Sequence, residues 1–319
     1  MTFTTLPEMF SSVFNNLSYS FSNVSEPELF LEIRSVRDGT TLGSKRFYNT
    51  SGGTLNIAPM IRKSIRFTPS TGMTGFYDSE SRAASVQLAA RTTFSEVRTF
   101  IAAHNAVNPP HILTTMPSHR IIAYGESDEI TCCIPAQHTV SVTSDITAQA
   151  LTYSAVGGHE LTVFRLNTQS FLPTVSSISV RITTGSQLIG QIDYMVVPSS
   201  ISGCRLAWRS SAGSIEHYTF PVIKSITQKI RKGQALTDEN RYENFSIHSE
   251  RTTTLSSAFE PVAVAEALAE IVASPQVWQI NDNKYQETDI LTREQTISRH
   301  GTLACIEIDL RPKQETRCL

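Results

Sequence analysis

The chain has 319 residues, of which 40% are hydrophobic and 18% are charged. Its 27 Lys and Arg residues nearly balance its 29 Asp and Glu residues, so it lacks the basic excess that a nucleic-acid or anionic-lipid surface requires. No apolar run approaches the roughly 18 residues of a membrane-spanning helix. No Lys or Arg precedes an apolar stretch near the N terminus, which argues against a signal peptide. We therefore expect a cytosolically synthesised protein with neither nucleic acid nor a membrane as partner.

The first predicted unit is a β domain over residues 1–105. Apolar and charged side chains alternate over 29–34, and Asp38-Gly39 supplies the residues of a tight turn, so residues 29–48 predict a hairpin. Residues 52–67 predict a short strand and a Pro-bearing turn. Residues 82–104 predict two further strands, before the Pro-rich break at 108–110.

Two further β domains are predicted, over 106–200 and 201–319. Short strands separated by Gly, Pro and Ser breaks, as in residues 119–134 and 177–197, have the spacing of a sandwich. The hydrophobic period changes from that of a strand to that of a helix only at 260–273. There the apolar residues recur at helical spacing and form one stripe, which does not include Glu266 and Glu270. The predicted fold is mostly β: tandem antiparallel β-sandwich (Ig-like) modules with one short amphipathic helix near the C terminus.

The search for chemical motifs yields no catalytic, cofactor-binding or metal-ligating residue. The five cysteines are scattered without a paired CxxC, which favours reduced thiols over disulfides or zinc. No nucleophile elbow, dinucleotide fingerprint or phosphate-binding loop is present. The eight histidines lie singly along the chain, at positions 104, 111, 119, 138, 159, 217, 248 and 300. We expect no cofactor and no metal.

Two polar groups have a structural and a functional interpretation. Glu126, Asp128 and Glu129 form the densest acidic group, which could hold calcium but lacks the spaced ligands of a calcium loop. A solvated turn ahead of a strand is the favoured interpretation. Cys132 and Cys133 are neighbours on a predicted strand and point to opposite faces, so at least one is expected in the core.

Residues 204–220, CRLAWRSSAGSIEHYTF, combine aromatic, acidic, His and Ser residues in one short stretch. They predict a hairpin with its turn at 210–213, in which alternation directs Glu216 and His217 to opposite faces. No base is placed beside a serine, as an activated nucleophile requires. We interpret this stretch as a structural hairpin whose aromatic residues pack a core.

Four blocks carry a resemblance to a known group of proteins. They are RLAWRSSAGSIEHYTF, HRIIAYGESDEIT, LGSKRFYNTSGGTLNIAPMIR and SPQVWQINDNKYQETDI. Each is similar to β-structure patterns in virion structural proteins of tailed phages that infect gut Bacteroidetes, including the crAss-like group. The blocks cover about half of the chain. The resemblance implies tandem β-sandwich modules in a phage tail, baseplate or collar, and it carries over no enzymatic residue.

The resulting expectation is a non-enzymatic virion subunit whose modules dock on identical copies in a closed ring and on other virion proteins. The alternative is a host-surface or glycan-binding (receptor-binding) β-sandwich protein with Tyr and Trp as stacking platforms. A third option, a glycan-cleaving tail enzyme, would need paired carboxylates facing one groove. Strand alternation places the carboxylates of the only dense acidic group on different faces, so they do not form such a pair.

Overall fold

The computed structural model describes residues 1–78, 82–146, 150–158, 161–199, 203–282 and 284–313, together with the backbone of 317–318. These residues form two compact units. The first comprises 1–120, 127–196 and 210–216, and the second comprises 121–126, 197–209 and 217–319. The predicted boundary between 200 and 201 lies outside the described residues, and the division into 1–105, 106–200 and 201–319 stays a prediction.

Strands dominate the chain ahead of residue 200. In chain order they are β1 (Thr2–Thr5), β2 (Ser11–Ser12), β3 (Ser18–Ser22), β4 (Glu28–Ser35), β5 (Thr41–Tyr48), β6 (Gly52–Asn56), β7 (Gly75–Asp78), β8 (Ala83–Ala90), β9 (Thr93–Phe94), β10 (Arg98–Ile101), β11 (His111–Leu113), β12 (His119–Ala123), β13 (Ser127–Cys133), β14 (His138–Ser144), β15 (Leu151–Ala155), β16 (Thr162–Asn167), β17 (Ser177–Thr184) and β18 (Gln187–Val197). A one-turn helix, α1 (Ala58–Ile61), contains the Pro of the predicted turn.

The remaining strands are β19 (Cys204–Arg209), β20 (Ile215–Phe220), β21 (Val222–Leu236), β22 (Tyr242–Ser256), β23 (Glu260–Pro261), β24 (Val277–Asn281), β25 (Lys284–Ile290), β26 (Ser298–His300), β27 (Leu303–Cys305), β28 (Glu307–Pro312) and β29 (Arg317–Cys318). Helix α2 (Val262–Ala269) continues into a 3-10 turn at Glu270–Ala273. The prediction of a mostly β chain of antiparallel sheets, with a short helix near the C terminus, is confirmed.

The predicted N-terminal hairpin is confirmed as β4 and β5, which pair antiparallel from Glu28 opposite Tyr48. Leu31 and Ile33 are fully buried, because alternation turns them toward the core of the first unit. Gly39 lies in the left-handed region, at a φ of 70°, which favours glycine in the turn. The strand order of this sheet is β2-β10-β8-β4-β5, with β9 beside β8.

Two further sheets of the first unit pack face to face. Their strand orders are β11-β13-β16-β7 and β12-β18-β17-β14-β15. Phe164 of the first sheet meets Tyr153 of the second with ring centroids 5.3 Å apart. Phe76 stacks edge-on against the same Phe164 ring at 5.3 Å. Phe76 and Phe164 are cross-strand neighbours within one sheet, whereas the Phe164–Tyr153 contact joins the two sheets, as aromatic contacts do in the core of a sandwich.

In the second unit one long sheet has the order β20-β19-β24-β25-β28-β22-β21, with β29 beside β22. Helix α2 buries Val264 and Leu268 on its predicted stripe and leaves Glu266 exposed. The predicted helix at 260–273 is therefore confirmed, although it begins at Val262. The helix does not begin earlier because Glu260 and Pro261, directly before it, form strand β23.

Candidate interaction surface and buried polar clusters

The acidic run near residue 126 is not the solvated turn that its composition predicts. Asp128 and Glu129 lie on β13, and each is 2% exposed. The expectation of a solvated turn is wrong for these two carboxylates, since composition does not reveal the arginines that the fold brings opposite them. Their predicted separation is confirmed, because Asp128 pairs with Arg120 whereas Glu129 pairs with Arg82.

Arg120 contacts two buried carboxylates of the first unit. Its Nη1 lies 3.0 Å from Oδ2 of Asp128 and 3.3 Å from Oε2 of Glu216. The Tyr194 hydroxyl donates to the same Asp128 oxygen at 2.8 Å, and Arg120 Nη2 donates to Thr114 Oγ1 at 2.7 Å. Burial raises the pKa of Glu216 more than the Arg120 charge lowers it. This cluster ties together residues from β12, β13, β18 and β20.

Around Glu129 the cations outnumber the anions, because two arginines surround one carboxylate. Arg82 Nη2 lies 2.8 Å from its Oε2, and Arg165 Nη1 lies 3.9 Å from its Oε1. Ser70 donates to the same carboxylate from both its backbone N–H and its hydroxyl. The three charged side chains are at most 1% exposed. A carboxylate paired and buried in this way belongs to the packed interior and is closed to a substrate.

The hairpin at 204–220 is confirmed as β19 and β20, with Trp208 fully buried. Glu216 and His217 diverge as predicted: Glu216 faces Arg120, whereas His217 Nε2 lies 3.1 Å from the Tyr285 hydroxyl. One contact was missed by the sequence analysis. The Ser214 hydroxyl donates to Glu216 Oε1 at 2.9 Å. Ser214 is 1% exposed, so this pair has no access to a substrate.

The cysteines and histidines give no candidate centre in the described part of the chain. Cys132 and Cys133 are both fully buried, which confirms that at least one packs the core. Burial raises the pKa of each thiol to about 12. No three His, Cys, Asp or Glu side chains among the described residues lie close enough to hold a metal, and His159 lies outside those residues. No described helix has both the length and the apolar character needed to cross a membrane.

The most prominent surface feature is a long hairpin formed by β21 and β22, which we call the arm (residues 222–256). Each strand has 15 residues, and β21 is exposed along nearly its whole length. Only the base of β22, from Thr253 to Ser256, pairs with β28. Among the described strands, β21 pairs only with β22, so it is the edge of its sheet. At about 3.3 Å per residue the arm is about 50 Å long.

One face of the arm is rich in exposed apolar side chains. In the strand register Ile226 lies opposite Thr253, Ile230 opposite Ser249, and Leu236 opposite Tyr242. Residues opposite each other share a face, and every second residue along a strand returns to it. Ile226, Ile230, Leu236 and Tyr242 therefore lie on one face, and their exposed fractions range from 52% to 74%.

The other face is polar and carries the ionic contacts that hold the arm at its base. Lys229 lies directly opposite Glu250. Arg311 of β28 donates to Glu250 Oε1 at 2.8 Å, and this hydrogen bond is the largest cause of the lowered pKa of Glu250. The stem is thus anchored on its charged face. The apolar face of the arm makes no ionic contact of this kind among the described residues.

Charge is distributed unevenly along the arm. Strand β21 carries four cations and no anion, and its central Lys229, Arg231 and Lys232 form a basic stem. The connecting turn and the start of β22 form an acidic tip with Asp238, Glu239 and Glu243 around a single Arg241. Lysines on an edge strand oppose pairing with a like-charged strand. The stem and the tip of the arm therefore carry opposite charge.

The sequence analysis missed strand β21. Its isoleucines at 226 and 230 are four residues apart, which suggests a helix as much as a strand, and lysines interrupt the pattern. The available signal was the enrichment in β-branched residues over 222–230. Periodicity failed here because neither face of the arm is covered by the chain's own core.

No protein-family model and no curated protein matches the sequence. Among solved structures, the FN1–FN3 domains of chicken CNTN1 align over 97% of both chains at 7% identity, with a TM-score of 0.23. DIP-gamma IG1+IG2 aligns over 62% of this chain and 96% of its own at 9% identity and a TM-score of 0.17.

A third solved structure, Dpr2 Ig1-Ig2 in complex with DIP-Theta Ig1-Ig3, aligns over 98% of this chain and 90% of its own. Its identity to this chain is 8% and its TM-score is 0.19. At these TM-scores the similarities carry no argument about function.

Proposed function

We propose that the protein is a non-enzymatic structural subunit that assembles with identical copies through its arm. The observation that carries this proposal is β21, a 15-residue strand exposed on both faces, together with the exposed first half of β22 and an apolar row on one face of the pair. An isolated two-stranded hairpin is marginally stable in water, and exposed apolar rows of this kind are typical of interaction sites. A second copy offers the same apolar face and the complementary charges.

Two arms packed antiparallel by their apolar faces bring the acidic tip of one toward Lys232 and Arg251 of the other, the two cations that the strand register places on that face. Such a contact is isologous, because each copy uses the same surface. With the tip against the middle of the partner strand, the two arms overlap over about ten residues, so a face about 33 Å long and about 10 Å wide covers about 330 Å² on each copy. The sum of about 660 Å² is the size of a weak, reversible interface. Edge-to-edge pairing of two β21 strands is disfavoured, because it would bring their cations together.

The finer proposal is that these subunits belong to the virion of a tailed phage, in the tail, baseplate or collar. Its support is the resemblance of the four sequence blocks named above. Other virion proteins would then be further partners. A multimeric ring needs a second, heterologous contact that closes on itself, in addition to the isologous contact of the arms.

The test is mass photometry of the full chain over a concentration series. We expect dimers, and closed multiples of them if the ring forms. The double variant Ile226→Asp/Ile230→Asp should be monomeric, because it places carboxylates in the apolar face. Thr227→Asp, on the opposite face of the same strand, is the matched control and should assemble normally. A wild-type monomer at every concentration, or an unchanged oligomer in the double variant, would overturn arm-mediated assembly.

A further inference from the structure

A pocket of about 390 Å³ opens on the first unit. Its walls come from three places: the segment 105–108, the ends of β11, and the turn at Ser211 and Ala212. Its floor includes Ala103 and Leu113, which belong to a buried apolar cluster with Phe10. This volume lies at the small end of the range of about 300–1,000 Å³ for small-molecule sites.

The polar groups lining the pocket are amides, hydroxyls and one imidazole. They belong to Asn105, Asn108, His111, Thr115 and Ser211, and no Asp, Glu, Lys or Arg lines the pocket. Each amide provides two donors and one acceptor. A charged ligand would lose hydration here without gaining an opposite charge. The lining therefore suits a neutral ligand that has many hydroxyl groups.

Thr115 supplies an independent observation. Its Oγ1 is buried and has no hydrogen-bond partner among the described residues, whereas its backbone N–H donates to Glu216 Oε1 at 3.3 Å. A buried hydroxyl without a partner is unfavourable, and such groups concentrate where a ligand or water completes the bonding. Rotation of the Thr115 side chain about χ1 would turn this hydroxyl toward the pocket that the residue lines, where a ligand hydroxyl would satisfy it.

The walls of the pocket are held by backbone contacts. The His104 N–H donates to the Ser211 carbonyl at 2.8 Å, which fixes the turn against the strand end. Gly213 in the same turn has a φ of 82°, and a Cβ at this position would lie 3.1 Å from the Ala103 nitrogen. The turn therefore sits directly on residues 102–104. A site built on such fixed walls loses little conformational entropy when a ligand binds.

We propose that this pocket binds a neutral saccharide unit of one or two rings. The apolar floor suits the C–H face of a sugar ring, and the surrounding amides and hydroxyls suit its hydroxyl groups. This inference is independent of the assembly proposed above, because none of the residues that line the pocket belongs to the arm.

The experiment combines an array of neutral and acidic glycans with saturation-transfer NMR on the full chain. The NMR probes are the methyl pyranosides of glucose, galactose and mannose, N-acetylglucosamine, and the acidic glucuronic acid. We expect binding of at least one neutral saccharide and none of glucuronic acid. Absence of any neutral binder on both the array and the probe panel would overturn the proposal, as would selective binding of acidic glycans.

Substitutions of residues that line the pocket test whether the saccharide binds there. Asn105→Ala/Asn108→Ala should weaken binding more than ten-fold, at about five-fold for each lost hydrogen bond. Thr115→Val keeps the side-chain shape, removes the hydroxyl, and should weaken binding about five-fold. Asn15→Ala, an exposed position outside the pocket, is the control. Unchanged affinity in the first two variants would show that the saccharide binds elsewhere. Mass photometry of the same variants should give the wild-type oligomer, which separates this test from that of the arm.

Discussion

Nη1 of Arg120 lies 3.3 Å from Oε2 of Glu216, and neither side chain is more than 4% exposed. The same nitrogen lies 3.0 Å from Asp128. One guanidinium thus contacts two buried carboxylates, and its single positive charge neutralises only one of them. Burial and the neighbouring Asp128 raise the pKa of Glu216, against the lowering effect of Arg120. The fold therefore raises the pKa of Glu216 above its ordinary value, whereas the adjacent carboxylates raise that of Arg120.

Removing the shared cation should be strongly destabilising. Arg120→Met leaves Asp128 and Glu216 buried without their cation, and loss of one partner of a buried ion pair costs about 3–5 kcal/mol of unfolding free energy. Urea unfolding at pH 7 measures this. The control is Arg34→Met, which removes an exposed partner of Glu32 and should cost no more than about 1 kcal/mol. Equal costs for the two variants would contradict the role of the cluster.

The raised pKa of Glu216 predicts a pH dependence with a definite sign. Between the ordinary value of 4.5 and the raised value, the folded state binds more protons than the unfolded state. The contribution of Glu216 to stability is therefore complete below 4.5 and is lost as the pH rises through the folded-state pKa. Glu216→Gln cannot titrate and lacks this loss.

The measurement is urea unfolding of the wild type and Glu216→Gln from pH 4 to 8. The difference in unfolding free energy, wild type minus variant, should fall as the pH rises above 4.5. Glu96→Gln, at an exposed position, should leave the wild-type pH profile unchanged. A difference that is constant or that rises with pH would show that the pKa of Glu216 is not raised.

The local patterns in the sequence predicted most of the local structure. Alternation at 29–34, the Asp38-Gly39 turn and the apolar stripe at 260–273 each depend on residues that are neighbours in sequence, and each prediction is confirmed. The ionic clusters could not be predicted in this way. Arg82 and Glu129 are 47 positions apart, and only the pairing of distant strands brings them together.

If the arms pack antiparallel, exchanging charges between tip and stem should weaken and then restore assembly. Asp238→Lys/Glu239→Lys places cations against Lys232 and Arg251 of the partner copy, and Lys232→Glu/Arg251→Glu places anions against its acidic tip. Each double variant should raise the dimer dissociation constant, because like charges meet. The quadruple variant should recover most of the affinity.

Sedimentation at low and high salt measures these effects. The differences between variants should shrink at high ionic strength, since exposed charges are screened. A quadruple variant no tighter than either double variant would mean that tip and stem do not meet. Wild-type affinity in both double variants would rule out any contact of these residues between copies.

The thiols should differ sharply in reactivity. Burial raises the pKa of Cys132 and Cys133 to about 12 and of Cys204 to about 11, and thiolate is the reactive form. Cys305 is only partly buried. Under native conditions at pH 8, iodoacetamide should label Cys305 first among the four cysteines whose side chains the structure describes, and peptide mass spectrometry gives the order. Labelling in urea is the control and should reach all of these sites. Native labelling of Cys132 at the rate of Cys305 would contradict the described core.

Trp208 tests the packing role of the hairpin at 204–220. It is fully buried, and its Nε1 has no hydrogen-bond partner among the described residues. Trp208→Ala should lower the unfolding free energy by about 3–5 kcal/mol, since it leaves a large cavity. Trp208→Phe should cost less than half as much, because it keeps an aromatic ring in the site and removes an unpaired donor.

Circular dichroism during urea unfolding follows both variants without depending on tryptophan fluorescence. The control is Phe94→Ala, at a half-exposed aromatic residue, which should change the unfolding free energy by no more than about 0.5 kcal/mol. Comparable costs for Trp208→Phe and Trp208→Ala would show that the indole N–H makes a stabilising contact. A small cost for Trp208→Ala would mean that the hairpin does not pack a core, and its polar residues would then have to be reconsidered as a functional site.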